Sequence, residues 1–490
     1  MTSLLPIKTK TCLISILSIV LPSIFVEAQI ITIYSDQVIR ENFGGLGYGW
    51  DGWSAPIDES MFIEGDIPSV SNQEFASVFA RRWKELNPSL LRCQFGVGWY
   101  MPEKDTITWD SPYMRSLYRI LDLAQETNTQ VYLSDWAWEN YQPKWLTNGN
   151  LDFSKIDHDL WAKVHVDGLS HLIKTKGYSH IKWWGNTNEM QDKSEDEKIS
   201  FEELKSVMES FKAELSSREL SGMIQTLATD QSWDYQYEAY SSIEWSTQNM
   251  DHVSDIYGAH RYTNNKDYEV FIGSFEKGVA YAKSRGKDFL IGEFGDQEYA
   301  RDAIDYGRRL CEIAVAGINA GVYGMCSWVL TDAPYDYGTF DIDWGVFSDK
   351  QHHYAIKPAY YAYGLMTKYF RPQSIVYATS ASLGQDGIYS ACTQDENGKW
   401  TIAFINNNEE IKTITVQFSG SIPDLLLRQY VFDPKNLPAD DAGNLQKSDR
   451  SIKITLNDGG SVTIPARGVV ILTNNPNPTG RDTFSRAQLK

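Results

Sequence analysis

The sequence predicts an α/β chain, a (β/α)8 TIM barrel with a C-terminal antiparallel β-sandwich domain. Three observations carry that reading. Short apolar runs of β-prone residues alternate with amphipathic segments of helical period through residues 43–370. Two of those runs turn abruptly polar and close on a glutamate. Residues 181–190 read IKWWGNTNEM and include Glu189, and residues 288–296 read DFLIGEFGD and include Glu293. A buried parallel strand reads this way where its carboxyl end opens into a site. From residue 371 the grammar changes to short alternating stretches set off by turn residues, the pattern of an antiparallel sheet.

Taken in order, residues 1–28 read as a signal peptide. Lys8 and Lys10 give a basic start, 13–25 is an apolar run too short to span a bilayer, and Val26-Glu27-Ala28 offers a small-residue cleavage site. Residues 29–42 hold a strand, at 30–39, that precedes the barrel and is expected to join the sandwich. The glycine-rich NFGGLGYGWDGW of 42–53 is the first barrel strand with its loop. Asn72 reads as the cap of a helix with Phe75, Val78, Phe79, Trp83 and Leu86 on one face. Strands then fall at 89–94, 130–135, 181–190, 223–229, 254–259, 288–296 and 322–328, and helices at 111–127, 157–174, 200–218, 267–285, 303–320 and 355–370. That makes eight strands over about the length such a barrel needs. Between 223 and 259 there is room only for a short or irregular helix. In the sandwich, 371–474, strands read at 400–405 and 411–418, joined through Asn406-Asn407-Asn408. Two more, at 452–456 and 461–464, flank the hairpin signal Asn457-Asp458-Gly459-Gly460, and 469–472 is the last. The polar end, 475–490, reads as disordered.

Composition narrows the function. The formal charge of -19 becomes -20 without Lys8, Lys10 and Glu27, which disfavours nucleic acid and anionic membranes as partners. With 16 Trp, 28 Tyr and 20 Phe, the aromatic load exceeds what a core needs, and flat rings serve as platforms for sugars. Cys93, Cys311, Cys326 and Cys392 show neither metal-ligand spacing nor a disulfide framework. No cofactor and no metal are expected. The mature chain is expected to be exported, free of the membrane and monomeric.

In a barrel the reactive groups stand at the carboxyl ends of the strands, so they can be read off in turn. Strand two carries Arg92, and strand three ends in Asp135, Trp136, Trp138 and Glu139. Strand four offers Asn188 and Glu189, and strand five Asp230. His260 and Tyr262 follow strand six, Glu293 closes strand seven and Trp328 closes strand eight. One glutamate alone reads equally well as a solvated strand boundary. Two, separated by about three βα units, suggest the carboxylate pair of a glycosidase.

This constellation resembles the clan A retaining glycoside hydrolases, in particular the family 30, family 39 and family 5 group. The likeness rests on the Asn-Glu closing strand four, the Glu closing strand seven, Arg92, the His-x-Tyr of strand six and Trp328. Phe43-Gly44-Gly45 and the KPAYYAYGLMTKYFRP of 357–372, leading into a sandwich, add to it, while Met190 stands where many relatives have proline. The resemblance implies a secreted enzyme that cleaves β-glycosidic bonds of a poly- or oligosaccharide by double displacement. In that scheme Glu189 is the general acid, Glu293 the nucleophile, and Arg92 holds Glu293 charged. Asn188 donates to the sugar 2-hydroxyl, Tyr262 hydrogen-bonds Glu293, His260 lines the site and Trp328 floors the reacting sugar. Trp136, Trp138, Trp50 and Trp53 are candidate platforms further along the cleft. Two alternatives stay open: Asp135 or Glu139 as the acid, and a non-catalytic carbohydrate-binding barrel.

Overall fold

The computed structural model describes residues 29–58, 68–135, 142–147, 153–189, 200–231, 241–263, 267–296, 303–336, 341–420, 422, 424–438, 442–455 and 458–476. Eight parallel strands close on themselves: Gly45–Gly49, Leu90–Gln94, Gln130–Ser134, Ile181–Gly185, Gln225–Ala228, Ile256–Tyr262, Phe289–Gly295 and Gly324–Ser327. The first pairs with the last, Leu46 opposite Met325, so the barrel has no open edge. They are strands one to eight below.

Helices return the chain between strands, and their starts are chemically marked. Ser111 accepts from the Met114 N–H ahead of Pro112–Glu126, with proline at the first helical position, whose missing N–H would have no partner anyway. Ser200 and Glu203 form a reciprocal capping box before Phe201–Ser217. The helix after strand one begins on Ser71, not on Asn72 as the sequence suggested. Ser71 and Glu74 satisfy each other's backbone donors, and Asn72 is already helical. The stretch between strands five and six does contain a helix, Ser241–Asn249. Strand six also runs further than its apolar stretch implies and includes His260 and Tyr262.

The expected sandwich is present, but its strands do not pair in chain order. Among the described residues one nine-stranded sheet includes Gln29–Phe43, which runs parallel to Lys412–Ser419 and antiparallel to Ser374–Thr379. Trp400–Asn406 pairs with Ile388–Gln394 and Val469–Thr473, so it does not form a hairpin with Lys412–Ser419. Arg450–Ile454 and Gly460–Ile464 likewise sit at opposite ends of the strand order, with a bridge between Thr455 and Gly459 where the chain passes from one to the other. The turn reverses the chain but delivers each strand to a different edge. Ile31, Ile33, Ile402, Phe404, Ile414 and Val462 belong to the sandwich's own core. Other strand residues, such as Ala403, Tyr430 and Ile471, join the barrel's core against the helices Ala303–Ala320 and Pro358–Tyr369. Asn319 of the first of these helices donates to the Ser390 carbonyl at 2.9 Å.

Cys93, Cys311, Cys326 and Cys392 are buried free thiols, behaving as small hydrophobes. No helix among the described residues is long and apolar enough to cross a membrane. Residues 1–28, expected to be a signal peptide, and nearly all of the polar tail lie outside the described residues.

Candidate active site

Inside the barrel, side chains stack in layers because neighbouring residues on a strand face opposite sides. The lower layer is an apolar plug of Leu90, Tyr132, Trp183, Leu227, Ile256, Leu290 and Cys326. Two residues above Leu90, Tyr132 and Cys326, on the same face, stand Arg92, Ser134 and Trp328, and four above Ile256 stands His260. Strict alternation from Leu290 would aim Gly292 inward and Glu293 outward. The ladder shows otherwise. Ala259 pairs with Ile291 but His260 with Glu293; Ile291 pairs with Met325 but Phe294 with Ser327. Strand seven therefore carries one extra residue against both neighbours, a β-bulge at Gly292, and Glu293 comes into phase with His260.

Gly292 also makes room. A Cβ there would lie 2.9 Å from Asp230 Oδ1 and 3.3 Å from both Arg92 Nε and His260 Nε2. Gly292→Ala is expected to displace this cluster, lowering stability by about 1–3 kcal/mol as overpacked sites do. Activity should fall by more than that destabilisation explains. Urea denaturation and kinetics on the same samples would test this, and an Ala variant with unaltered stability and turnover would contradict the packing described.

Arg92 is the hub. It is 1% exposed and donates through Nη1 to Glu293 Oε1 at 2.5 Å. Through Nη2 it donates to Asn188 Oδ1 at 2.5 Å, Asp230 Oδ2 at 2.6 Å and Ser134 Oγ at 3.3 Å. The Asn188 contact orients its amide with the oxygen toward Arg92, leaving the NH2 as a donor elsewhere. The Tyr262 hydroxyl donates to Glu293 Oε2 at 2.6 Å. Glu293 thus accepts on both oxygens.

Glu189 is placed by strain. Its φ of +51° lies in the left-handed region, which costs an L-residue about 1–2 kcal/mol. The bond from its N–H to the Asp230 carbonyl, 2.8 Å, holds it there. Side-chain exposure separates the carboxylates: Glu189 is 28% exposed, Glu293 5% and Asp230 1%. Glu189 is the most exposed of the three. On its inner side Glu189 Oε1 lies 2.6 Å from His260 Nδ1.

The charges act on one another strongly. Burial pushes the Glu293 carboxyl above its ordinary range, with His260 and Arg92 pulling against it and the charge of Glu189 adding to it. Burial disfavours the charged form of His260, but Glu293, Asp230 and Glu189 outweigh it and raise its pKa to about 10. Burial would raise Asp230 too, yet Arg92 and His260 hold it well below the usual carboxylate range. Glu189, His260 and Glu293 offer ligand atoms within 4.8 Å of one another, a spacing that suits a cation. The donor chemistry does not. The imidazole nitrogens already face Glu189 and Asp230, and the Arg92 guanidinium occupies Glu293.

The structure therefore brings together Arg92, Asn188, Glu189, His260, Tyr262 and Glu293. Trp328 joins them at the edge: it is 3% exposed, packs against Tyr262 and Trp344, and lies under Gly49, where a Cβ would be 2.7 Å from its ring. Trp344 has no signal in the sequence, because the loop after strand eight has no period to read. It is half-buried, with its ring 5.9 Å from that of Tyr262. Asp230 and Ser134 also belong to the cluster. Asp230 was visible as the end of strand five, but nothing in the sequence indicated its partners.

Trp50 is not a platform. It is fully buried, stacked on Phe79 at 5.7 Å and on Phe75 at 5.8 Å, an aromatic core contact. Asp135 is also fully buried; Gln142 Nε2 donates to it at 2.7 Å and His165 Nε2 lies 2.7 Å from its other oxygen, a position unsuited to an acid that must meet substrate. Trp136, Trp138 and Glu139, and the side chain of Trp53, lie outside the described residues.

No protein-family model matches this chain, and no curated protein matches it in sequence. Solved structures do match its fold. A family 30 subfamily 8 xylanase from Clostridium acetobutylicum superposes with a TM-score of 0.64 at 12% identity, over 90% of this chain and 98% of the xylanase. The catalytic domain of a family 30 xylanase from Talaromyces cellulolyticus gives 0.63 at 16%, over 91% and 99%. A family 39 glycoside hydrolase from Bacteroides cellulosilyticus gives 0.60 at 11%, over 89% and 81%. In its barrel and attached sandwich, this chain has the fold of the family 30 and family 39 glycoside hydrolases of clan A.

Proposed function

We propose that the chain is an exported retaining β-glycoside hydrolase acting on a poly- or oligosaccharide. The observation that carries this reading is the approach of two glutamates from strand ends four and seven. One carboxylate oxygen of Glu189 and one of Glu293 lie within 4.8 Å of each other, which supports a closely set pair of carboxyl groups. An inverting pair stands about 6.5–9.5 Å apart to admit a water, whereas a retaining pair stands about 5–5.5 Å apart. Glu293, gripped by Arg92 and Tyr262, attacks the anomeric carbon, and the bond to the leaving oxygen breaks as Glu189 protonates it. Water then attacks the glycosyl-enzyme, giving its proton to Glu189 and freeing Glu293. The Asn188 amide donates to the 2-hydroxyl, and Trp328 with Trp344 forms an apolar wall for the sugar ring. The basic start and apolar run of the leader support export.

The test begins with a panel of aryl β-glycosides and polysaccharides, followed by proton NMR of a cleaved substrate. The β anomer should appear first and mutarotate later. An α anomer appearing first would exclude the double displacement. Tight binding across the panel without turnover would favour the non-catalytic barrel.

A further inference from the structure

Asp230 has no part in the reaction just described, yet it is the most heavily bonded carboxylate in the site. Its Oδ2 accepts from Arg92 at 2.6 Å and from Ser134 Oγ at 3.1 Å, and its Oδ1 lies 2.8 Å from His260 Nε2. The other imidazole nitrogen, Nδ1, faces Glu189 Oε1 at 2.6 Å and Glu293 Oε2 at 3.5 Å. A carboxylate held ionised by a guanidinium can only accept, so His260 Nε2 must carry a hydrogen in every protonation state. That leaves Nδ1, the nitrogen against Glu189, as the one whose proton is negotiable.

We propose that Asp230 is a positioning residue that works through His260. By fixing a proton on Nε2, it presents Nδ1 to the Glu189 carboxyl, so that His260 and Glu189 hold and release protons as one coupled pair. The inference rests on the reading of Glu189 as the general acid. The other groups facing the pair are Glu293 and Arg92, with Tyr262 on Glu293 and Tyr132 beneath Arg92, while Asp51 acts on Arg92 and Glu293 from further off. Asp51 is buried at the end of strand one, accepts the Gln94 N–H at 2.9 Å, and is pushed by that burial to about 7. Asp230 differs from all of these in touching His260 on the side away from Glu189. Its negative charge raises the affinity of the pair for its last proton, and its removal must lower it. The apparent values belong to the pair and not to either residue.

The test is ring-15N NMR of the full chain labelled at histidine, with His260 assigned by His260→Gln among the eight histidines. In the wild type Nε2 should remain protonated while Nδ1 titrates; a neutral form carrying its hydrogen on Nδ1 overturns the proposal without any variant. In Asp230→Asn the His260 midpoint should fall by roughly one to three pH units, the range an adjacent charge produces. The basic limb of kcat/KM should move acidward with it, and Asp230→Glu should restore both. A slower Asp230→Asn enzyme with an unchanged midpoint and unchanged profile would mean that Asp230 is only a structural support, and the proposal fails. Glu189→Gln should perturb Nδ1 and spare Nε2; equal perturbation of both nitrogens would also sink it. If no glycoside is cleaved by the wild type, the glycosidase reading falls on its own, while the NMR result still decides the Asp230–His260 link.

Discussion

Glu189→Gly should lose nearly all activity on natural glycosides while continuing to form the glycosyl-enzyme from dinitrophenyl glycosides. The leaving group of such a substrate needs no proton, so the intact Glu293 can still displace it. Hydrolysis of the intermediate lacks its base, and added azide should restore turnover, yielding a β-glycosyl azide. Glu293→Ala should fail on both substrates, and azide can give only the inverted α product. Each variant should fall by on the order of 10³-fold or more, equivalent to several kcal/mol of barrier. Glycine is the better replacement at 189 because the native φ is +51°, a conformation open to glycine without strain. The melting temperature of Glu189→Gly should therefore not drop, although a hydrogen bond to His260 is lost. Inactivity accompanied by unfolding would point to a structural role instead. The control is Glu139→Ala: leaving-group dependence and azide rescue in that variant would transfer the acid role to it.

Much of this site was legible in the sequence, and the reasons are local. Arg92 interrupts the apolar SLLRCQ, and a charge inside a strand demands a partner. Glu189 and Glu293 close runs that begin apolar, and the spacing of His260 and Tyr262 puts both on one face of strand six. The orientation of Glu293 was not legible. Counting by twos from Leu290 points it at the helices, and only the bulge at Gly292 turns it inward. A bulge is a property of three paired strands, and glycine alone does not announce it. Trp50 illustrates a different limit. A tryptophan after a glycine-rich strand reads the same in a cleft as in a core, and the stack on Phe75 and Phe79 was visible only once the next helix was placed. In the sandwich the residues at 457–460 read as a hairpin, yet the strands on either side of them pair with other strands. Which edge each flanking strand finds is set by non-local pairing with strands some 25 to 50 residues away, and turn chemistry carries no information on that.

Arg92→Met should be the most damaging substitution to folding in the barrel interior. Methionine approximates the volume but removes every hydrogen bond from the guanidinium, leaving Asp230 and Glu293 buried without the cation that pairs with both. Breaking a buried ion pair from one side costs about 3–5 kcal/mol. The pH dependence follows from the direction of each shift. Asp230 is held below its unfolded value, so its contribution is present above about pH 4 and is lost as pH falls through its folded pKa. In the variant the orphaned carboxylates take up protons more readily, so the deficit relative to wild type should be largest near neutrality and shrink on acidification. Activity has its own signature. The nucleophile must be ionised, and Glu293 is already raised by burial with Arg92 pulling it back. Removing Arg92 raises it further, and the acid limb of kcat/KM should move to higher pH. Arg92→Lys keeps a charge but not the fork that reaches Glu293 through one nitrogen and Asn188 and Asp230 through the other. It should recover part of the stability and leave kcat depressed. Chemical denaturation of all three proteins from pH 4 to 8 would decide the matter. A deficit that stays constant with pH would show that lost packing, and not unpaired charge, is what Arg92→Met exposes.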